Sequence, residues 1–150
     1  MNPSAHIVVG IDGSDGSDAA LDHACEEAAL RGLAVLAVAV WEPPDLWVTS
    51  KGLVPPATEL HRAALADAHE QVANAASRRV GRSAMPVEVT VEAHSGPAAV
   101  VLERLSRGAA MLVVGHRGRG AVASRLIGSV GLSCVLHASC TVVVVRPAVS

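Results

Sequence analysis

The chain has no phenylalanine and no tyrosine, one lysine (Lys51), and only two large aromatic side chains, Trp41 and Trp47. Without aromatic rings the core must be built from Val, Leu, Ile and Ala. The stacking platforms on which single-stranded nucleic acids lie are missing as well. Cysteine is scarce: Cys25, Cys134 and Cys140 are odd in number and form no C-x-x-C pair, which argues against a disulfide frame and for a reduced, cytoplasmic setting. No basic residue precedes Arg31, so the charged region of a secretory signal is not expected. Nor is a membrane span. Residues 126–145 run for 20 positions without a formal charge, but Gly128, Ser129, Gly131, Ser133, His137, Ser139 and Thr141 leave that run too polar and broken to sit in lipid. Acidic residues are absent from 104–150, which hold six arginines, whereas six acids crowd between Asp12 and Glu27. The formal net charge of −2 hides this asymmetry. The chain as a whole should not attract nucleic acid, yet its basic third could meet a phosphate-bearing ligand.

What is present points to one folded domain spanning 1–150. With 150 residues, 51% of them hydrophobic and 17% charged, disorder is excluded. A domain of this size buries roughly 68–70% of its unfolded surface and needs no covalent staple. Short runs rich in β-branched residues alternate with helical patterns. Residues 6–11 read as a buried strand, ended by the turn Asp12-Gly13-Ser14. A helix over 17–31 lines Ala20, Leu21, Ala24, Cys25 and Ala28 along one face and stops at Gly32. Residues 33–40, all Val, Leu and Ala, read as a strand buried on both faces. The segment 41–57, with Pro43, Pro44, Pro55 and Pro56, is the longest expected loop. A second helix over 58–80 has Leu65, Ala68, Val72 and Ala76 as its apolar stripe, and 87–91 is the expected third strand. Pro97 suits the first turn of a helix with Ala98, Val101, Leu102 and Leu105 facing inward. A fourth strand over 110–114, a short helix over 129–137 and a fifth strand over 141–145 complete the chain. Such alternation implies an α/β fold, a single open parallel sheet with helices on both faces.

The stretch GHRGRGAVASRLIGSV, residues 115–130, holds four glycines, three arginines and no acid. It leaves the carboxyl end of the fourth strand and opens the next helix at Gly128-Ser129. In open α/β sheets ligands bind beyond the carboxyl ends of strands, where strand order reverses. A helix N-terminus there presents unpaired N–H groups and partial positive charge to an anion. Gly115 and Gly118 would let backbone come close to a ligand, Gly128 would permit tight entry to the helix, and Arg117, Arg119 and Arg125 would offset phosphate charge. A solvated glycine loop is the other reading of the same spacing. The familiar fingerprints do not fit: there is no G-x-x-x-x-G-K-[ST], and Gly10, Gly13 and Gly16 have the wrong spacing for a dinucleotide fold and read as turn residues. Seven histidines form no ligand set for zinc. Cys25 reads as a small core hydrophobe, and Asp15, Asp18, Asp22, Glu26 and Glu27 as a solvated helix flank. No nucleophile–base pair emerges.

The spacing Gly115-x2-Gly118-x9-Gly128-Ser129 resembles the nucleotide-binding signature of the universal stress protein family. VVGIDGSDGSDAAL resembles that family's opening strand, acidic residue and turn, and HASCTVVVVRP its closing strand. His116, where Ser is common, and Gly131, where a second Ser is common, depart from the pattern. The resemblance implies a five-stranded Rossmann-like sheet of the adenine nucleotide alpha hydrolase-like kind, in order 3-2-1-4-5, with ATP at the switch between strands one and four. It implies that Asp12 contacts the ribose or a nucleotide-bound Mg2+, and that the backbone of Val40 reads the adenine edge. Gly115, Gly118, Gly128, Ser129 and Val130 would hold the phosphates, and His116 and Arg119 complete the expected ATP-binding set. The function expected is a cytoplasmic, ATP-binding stress-response or signalling module with slow or no hydrolysis and no catalytic residue. A nucleotide-free dimerisation scaffold and an ATP-using enzyme of related fold are the alternatives. The apolar run 141–145 at a sheet edge, together with the resemblance, implies a homodimer paired along that strand.

Overall fold

The computed structural model describes residues 5–45, 50–52, 54–81, 86–119 and 126–149. Trp47 and Arg125 lie outside these, as does part of the expected 41–57 loop. In chain order the elements are β1 (His6–Ile11), α1 (Asp15–Arg31), β2 (Ala34–Trp41), α2 (Ala57–Arg79), β3 (Val89–Ser95), α3 (Ala98–Leu105), β4 (Met111–Gly115), α4 (Ser129–His137) and β5 (Thr141–Val145). The strands form one five-stranded sheet of order β3-β2-β1-β4-β5, and every pairing is parallel. Since side chains alternate along a strand, β1 divides its residues between two cores. Ile7, Val9 and Ile11 pack on one side with Ala20, Leu21, Ala24, Cys25 and Ala28 of α1 and with Ala68 and Ala75 of α2. Val8 packs on the other, with Val101 and Leu102 of α3 and Cys134 of α4. Strand order reverses between β1 and β4, as the resemblance implies.

Local chemistry sets the element ends. Ser14 caps α1, its side-chain oxygen accepting the Ser17 N–H, and Asp15 and Asp18 in the first turn favour the positive helix end. That cap draws Asp15 and Gly16 into the helix, so it starts two residues before the expected 17. Gly32 closes the helix at φ 66°, its N–H donating to the Ala28 carbonyl, a left-handed terminus that suits glycine. Pro97 sits just before α3 as its N-cap residue rather than in the first turn.

Two further expectations are corrected. β3 spans Val89–Ser95 rather than 87–91, pairing with β2 from Val35 to Trp41. It is an edge strand whose second half is polar, with His94 Nε2 2.7 Å from Glu92 Oε2, and apolar content alone does not reveal such a strand. On α2 the inward residues are Ala68, Gln71 and Ala75, with Val72 packed beside them; Ala76 is exposed. The buried face turns toward Gln71 because that amide finds partners across the helix interface. No helix among the described residues is long and apolar enough to cross a membrane.

Candidate functional site

Asp12 follows β1 and sits in a densely bonded turn. Its Oδ1 accepts the Ser14 N–H at 2.9 Å and the Ser14 hydroxyl, and its Oδ2 accepts the Arg119 N–H at 3.0 Å. Burial pushes the Asp12 carboxyl up, but the hydroxyl and amide of Ser14, the amide of Arg119 and the hydroxyl of Ser17 outweigh it, holding the group below the usual carboxylate range. The side chain therefore stays ionised and joins the β1–α1 turn to the loop after β4. Gly13 adopts φ 78° beneath the Arg119 guanidinium, where a β-carbon would come within 2.8 Å of Nη2.

The loop after β4 is built on close backbone approach. A β-carbon on Gly115 would lie 2.6 Å from the Gly16 carbonyl carbon, and one on Gly16 would lie 2.5 Å from the Arg117 carbonyl oxygen. Gly115 therefore lets the end of β4 meet the first turn of α1, and Gly16 is a helix-packing glycine rather than a turn residue. A β-carbon on Gly118 would stand 2.5 Å from Asp12 Oδ2. Gly128, the N-cap of α4, donates its N–H to the His116 carbonyl at 2.6 Å. His116 itself is 8% exposed. Its Nε2 accepts from Arg117 Nε at 3.0 Å, and its Nδ1 has no hydrogen-bond partner among the described residues. Burial, then the charges of Arg117 and Arg146, hold this imidazole below the ordinary histidine range, against a smaller opposing effect of the Val145 backbone. The ring is neutral at pH 7 and lines neither of the clefts described below.

Two clefts open at the carboxyl ends of the strands, one on each face of the sheet. The first, of about 510 Å³ to its open mouth, lies on the α3–α4 side. Its apolar lining is Val38, Val40, Ala98, Leu102, Val114 and Val130, and its polar side chains are Asp12, Ser14, Ser17 and Arg117, with Gly118 contributing backbone. Ser129, exposed in the first turn of α4, stands beside Val130. The second cleft, of about 750 Å³, lies against α2 and is lined by Trp41, Ala64, Asp67, Gln71 and Arg119 among others; Asp12 and Val40 line both clefts.

Asp12, Val40, Gly115, Gly118 and Val130 thus meet at the first cleft, and Arg119 lines the second. Sequence reasoning missed Gln71, which holds the Asp12 turn from α2. The available signal was an uncharged amide in register with Ala68 and Ala75 on a helix face that is otherwise apolar. Among the described residues no group of three or more His, Cys, Asp or Glu is arranged to hold a metal ion. Cys25 and Cys134 are buried and free, as a small core hydrophobe should be. Burial pushes the Cys134 thiol up to about 11, with Glu103 and Cys140 adding to the shift.

These features define a doubly wound parallel α/β protein with a mixed apolar and polar cleft at its strand-order switch. The sequence profile of the universal stress protein family matches residues 4–146, and the chain belongs to that family. The universal stress protein Rv1996 of Mycobacterium tuberculosis (strain ATCC 25618 / H37Rv) is 35% identical over 95% of this chain and 49% of its own length. The chain spans about half the length of the curated relatives it matches. Among solved structures, a universal stress protein in complex with cAMP is 24% identical with a TM-score of 0.65, over 97% of this chain and 98% of that one. A universal stress protein from Archaeoglobus fulgidus in complex with dAMP is 23% identical with a TM-score of 0.55, over 96% and 98%. At these identities the likeness is one of fold.

Proposed function

We propose that this chain is an adenine-nucleotide-binding module, one domain over 1–150, that takes ATP with Mg2+ in the α3–α4-side cleft and hydrolyses it slowly or not at all. The observation that carries this reading is the layout of that cleft. An apolar slot of Val38, Val40, Ala98 and Leu102 suits a base, while Asp12, Arg117 and the start of α4 gather at the other end. An anion favours a helix N-terminus through its unpaired N–H groups and dipole. The cAMP and dAMP complexes of structural neighbours support an adenine ligand. Val40 backbone would face the adenine edge, Asp12 the ribose or the metal, and Gly118, Ser129 and Val130 the phosphates, with Arg119 adding charge. Gly115, His116 and Gly128 would shape the loop that presents these groups. Asp12 is the one carboxylate lining this cleft among the described residues. A single carboxylate fits a Mg2+ carried on phosphates, since that ion keeps several waters and needs few protein ligands. An ionised Asp12 with both oxygens hydrogen-bonded is better suited to that contact than to taking a proton.

The same reading includes a cytoplasmic stress-response or signalling role and a homodimer joined along 141–145. β5 is an edge strand of four valines after Thr141, and α4 beside it exposes Leu132, Val135 and Leu136. An unblunted apolar edge with a neighbouring apolar helix face favours a second copy. Mass spectrometry of small molecules released from natively purified protein should find an adenine nucleotide. Protein that releases none, and that shows neither calorimetric heat nor a change in Trp41 fluorescence with ATP and Mg2+, would overturn the reading.

A further inference from the structure

Gln71 is 7% exposed on a helix face otherwise made of Ala68, Val72 and Ala75. A primary amide is costly to bury unless its hydrogen bonds are made, and this one makes three. Its Oε1 accepts the Gly13 N–H at 2.9 Å, and its Nε2 donates to Ser17 Oγ at 2.7 Å and to Asp18 Oδ1 at 2.8 Å. Ser17 Oγ in turn accepts the Asp12 N–H at 3.2 Å. The peptide plane after Asp12 carries the Gly13 N–H, and the plane before it carries the Asp12 N–H. Gln71 therefore grips both planes that flank Asp12, one directly and the other through Ser17. Docking of α2 on α1 has other support, because Arg78 reaches Asp18 at 3.8 Å and Asp22 at 3.4 Å. Gln71, which lines the second cleft, is thus engaged in holding the turn, and Asp12, which the turn presents, lines both clefts.

We propose that Gln71 is a positioning residue for the nucleotide site: from α2 it fixes the backbone on both sides of Asp12 and so aims the carboxylate into the α3–α4-side cleft. This rests on the nucleotide reading above. It makes α2, which lies on the opposite face of the sheet, part of the binding apparatus without touching the ligand. Two substitutions test it. Gln71→Met keeps the volume and removes every bond. Gln71→Glu keeps an acceptor for Gly13 but, when ionised, loses the donations to Ser17 and Asp18.

The test titrates ATP with Mg2+ into wild type and both variants at pH 7 and near pH 5, with thermal unfolding recorded for each. At pH 7 both variants should bind about tenfold more weakly or worse, the scale of one lost hydrogen bond at a buried or charged site. The carboxyl group introduced by Gln71→Glu would face Asp12 from the turn, Asp18 from α1 and Asp67 one turn earlier on α2. Those charges and burial raise its pKa, while Arg78 and Arg119 oppose the rise. Acidification should therefore return its proton and its donor. Relative to wild type at the same pH, affinity should recover in Gln71→Glu and not in Gln71→Met. A merely structural role would not produce that selective recovery. Wild type that fails to bind would overturn the nucleotide reading and this inference with it. Wild type that binds, with both folded variants equal to it at pH 7, would overturn the role of Gln71 alone. A weakened Gln71→Glu with no recovery at low pH would also overturn it.

Discussion

The two faces of the sheet are covered in different ways. On one, α1 runs for 17 residues and buries Ala20, Leu21, Ala24, Cys25 and Ala28 to 1% exposure or less. On the other, α3 and α4 have 8 and 9 residues, and α4 turns Leu132, Val135 and Leu136 outward at 46%, 50% and 67% exposure. The first face is where hydrophobic burial is concentrated. The second leaves the ends of β1, β2 and β4 beneath short helices, where the cleft lined by Val38, Leu102, Asp12 and Arg117 lies. Small residues make the difference possible. Gly16 and Gly115 bring α1 against the end of β4 with no space for a β-carbon, which fixes the Asp12 turn beside the loop that follows β4.

Breaking this contrast should have its largest effect in the α1 core. Leu21→Ala removes a fully buried side chain and should destabilise the fold by about 2–5 kcal/mol, whereas Val100→Ala on α3, at a position 59% exposed, should cost no more than about 0.5 kcal/mol. Denaturant unfolding of the two variants measures the difference, and equal losses would dissolve the distinction between the faces. A smaller effect is expected at the glycine seam. Gly115→Ala forces a β-carbon to 2.6 Å from backbone that cannot easily yield and should cost about 1–3 kcal/mol. Gly131→Ala within α4 meets nothing closer than 3.4 Å; it should be neutral or stabilise by up to about 1 kcal/mol through helix propensity. Thermal melts of this pair check whether the seam is as tight as its geometry implies.

The smallest effect is electrostatic. The folded state holds His116 below its ordinary range, so as the pH falls through about 6.5 the unfolded chain takes up that proton first. Stability contributed by the neutral imidazole is present above that pH and is lost as the pH falls toward the lower, folded-state value. Asp12 behaves in the same direction but later. Its depressed folded value leaves its contribution intact until the pH drops below the usual carboxylate range, near 4. Unfolding free energies of wild type and His116→Asn between pH 7 and 5 should therefore converge on acidification. A constant gap would show that the buried ring carries no such linkage.

Much of this is legible in the sequence, and the illegible parts share a cause. β1, α4 and β5 have the bounds that the apolar runs and glycine signals imply, and the strand order is the one implied by the family resemblance. β3 departs from its expected range because a parallel edge strand can end in polar residues such as Glu92 and His94 once its backbone is paired. The buried face of α2 departs because Gln71 is drawn inward by partners 53 to 58 positions away, a relation that local periodicity cannot carry. At the site, Asp12 and the glycines of the signature are legible as a set. The separate tasks of those glycines are not: Gly115 faces Gly16, Gly118 faces Asp12 and Gly128 bonds to His116, and each contact joins segments distant in sequence.

The proposed adenine-nucleotide site is the cleft where Asp12 meets the loop after β4. Calorimetric titration of ATP with Mg2+ into wild type and Gly118→Val tests it most directly, because a side chain at 118 would displace the Asp12 carboxylate, whose Oδ2 lies 2.5 Å from the position of its first carbon. Saturable binding to wild type, weakened by about tenfold or more in a folded Gly118→Val variant, is the expected result. Equal affinity in the two proteins would contradict the assignment of the site.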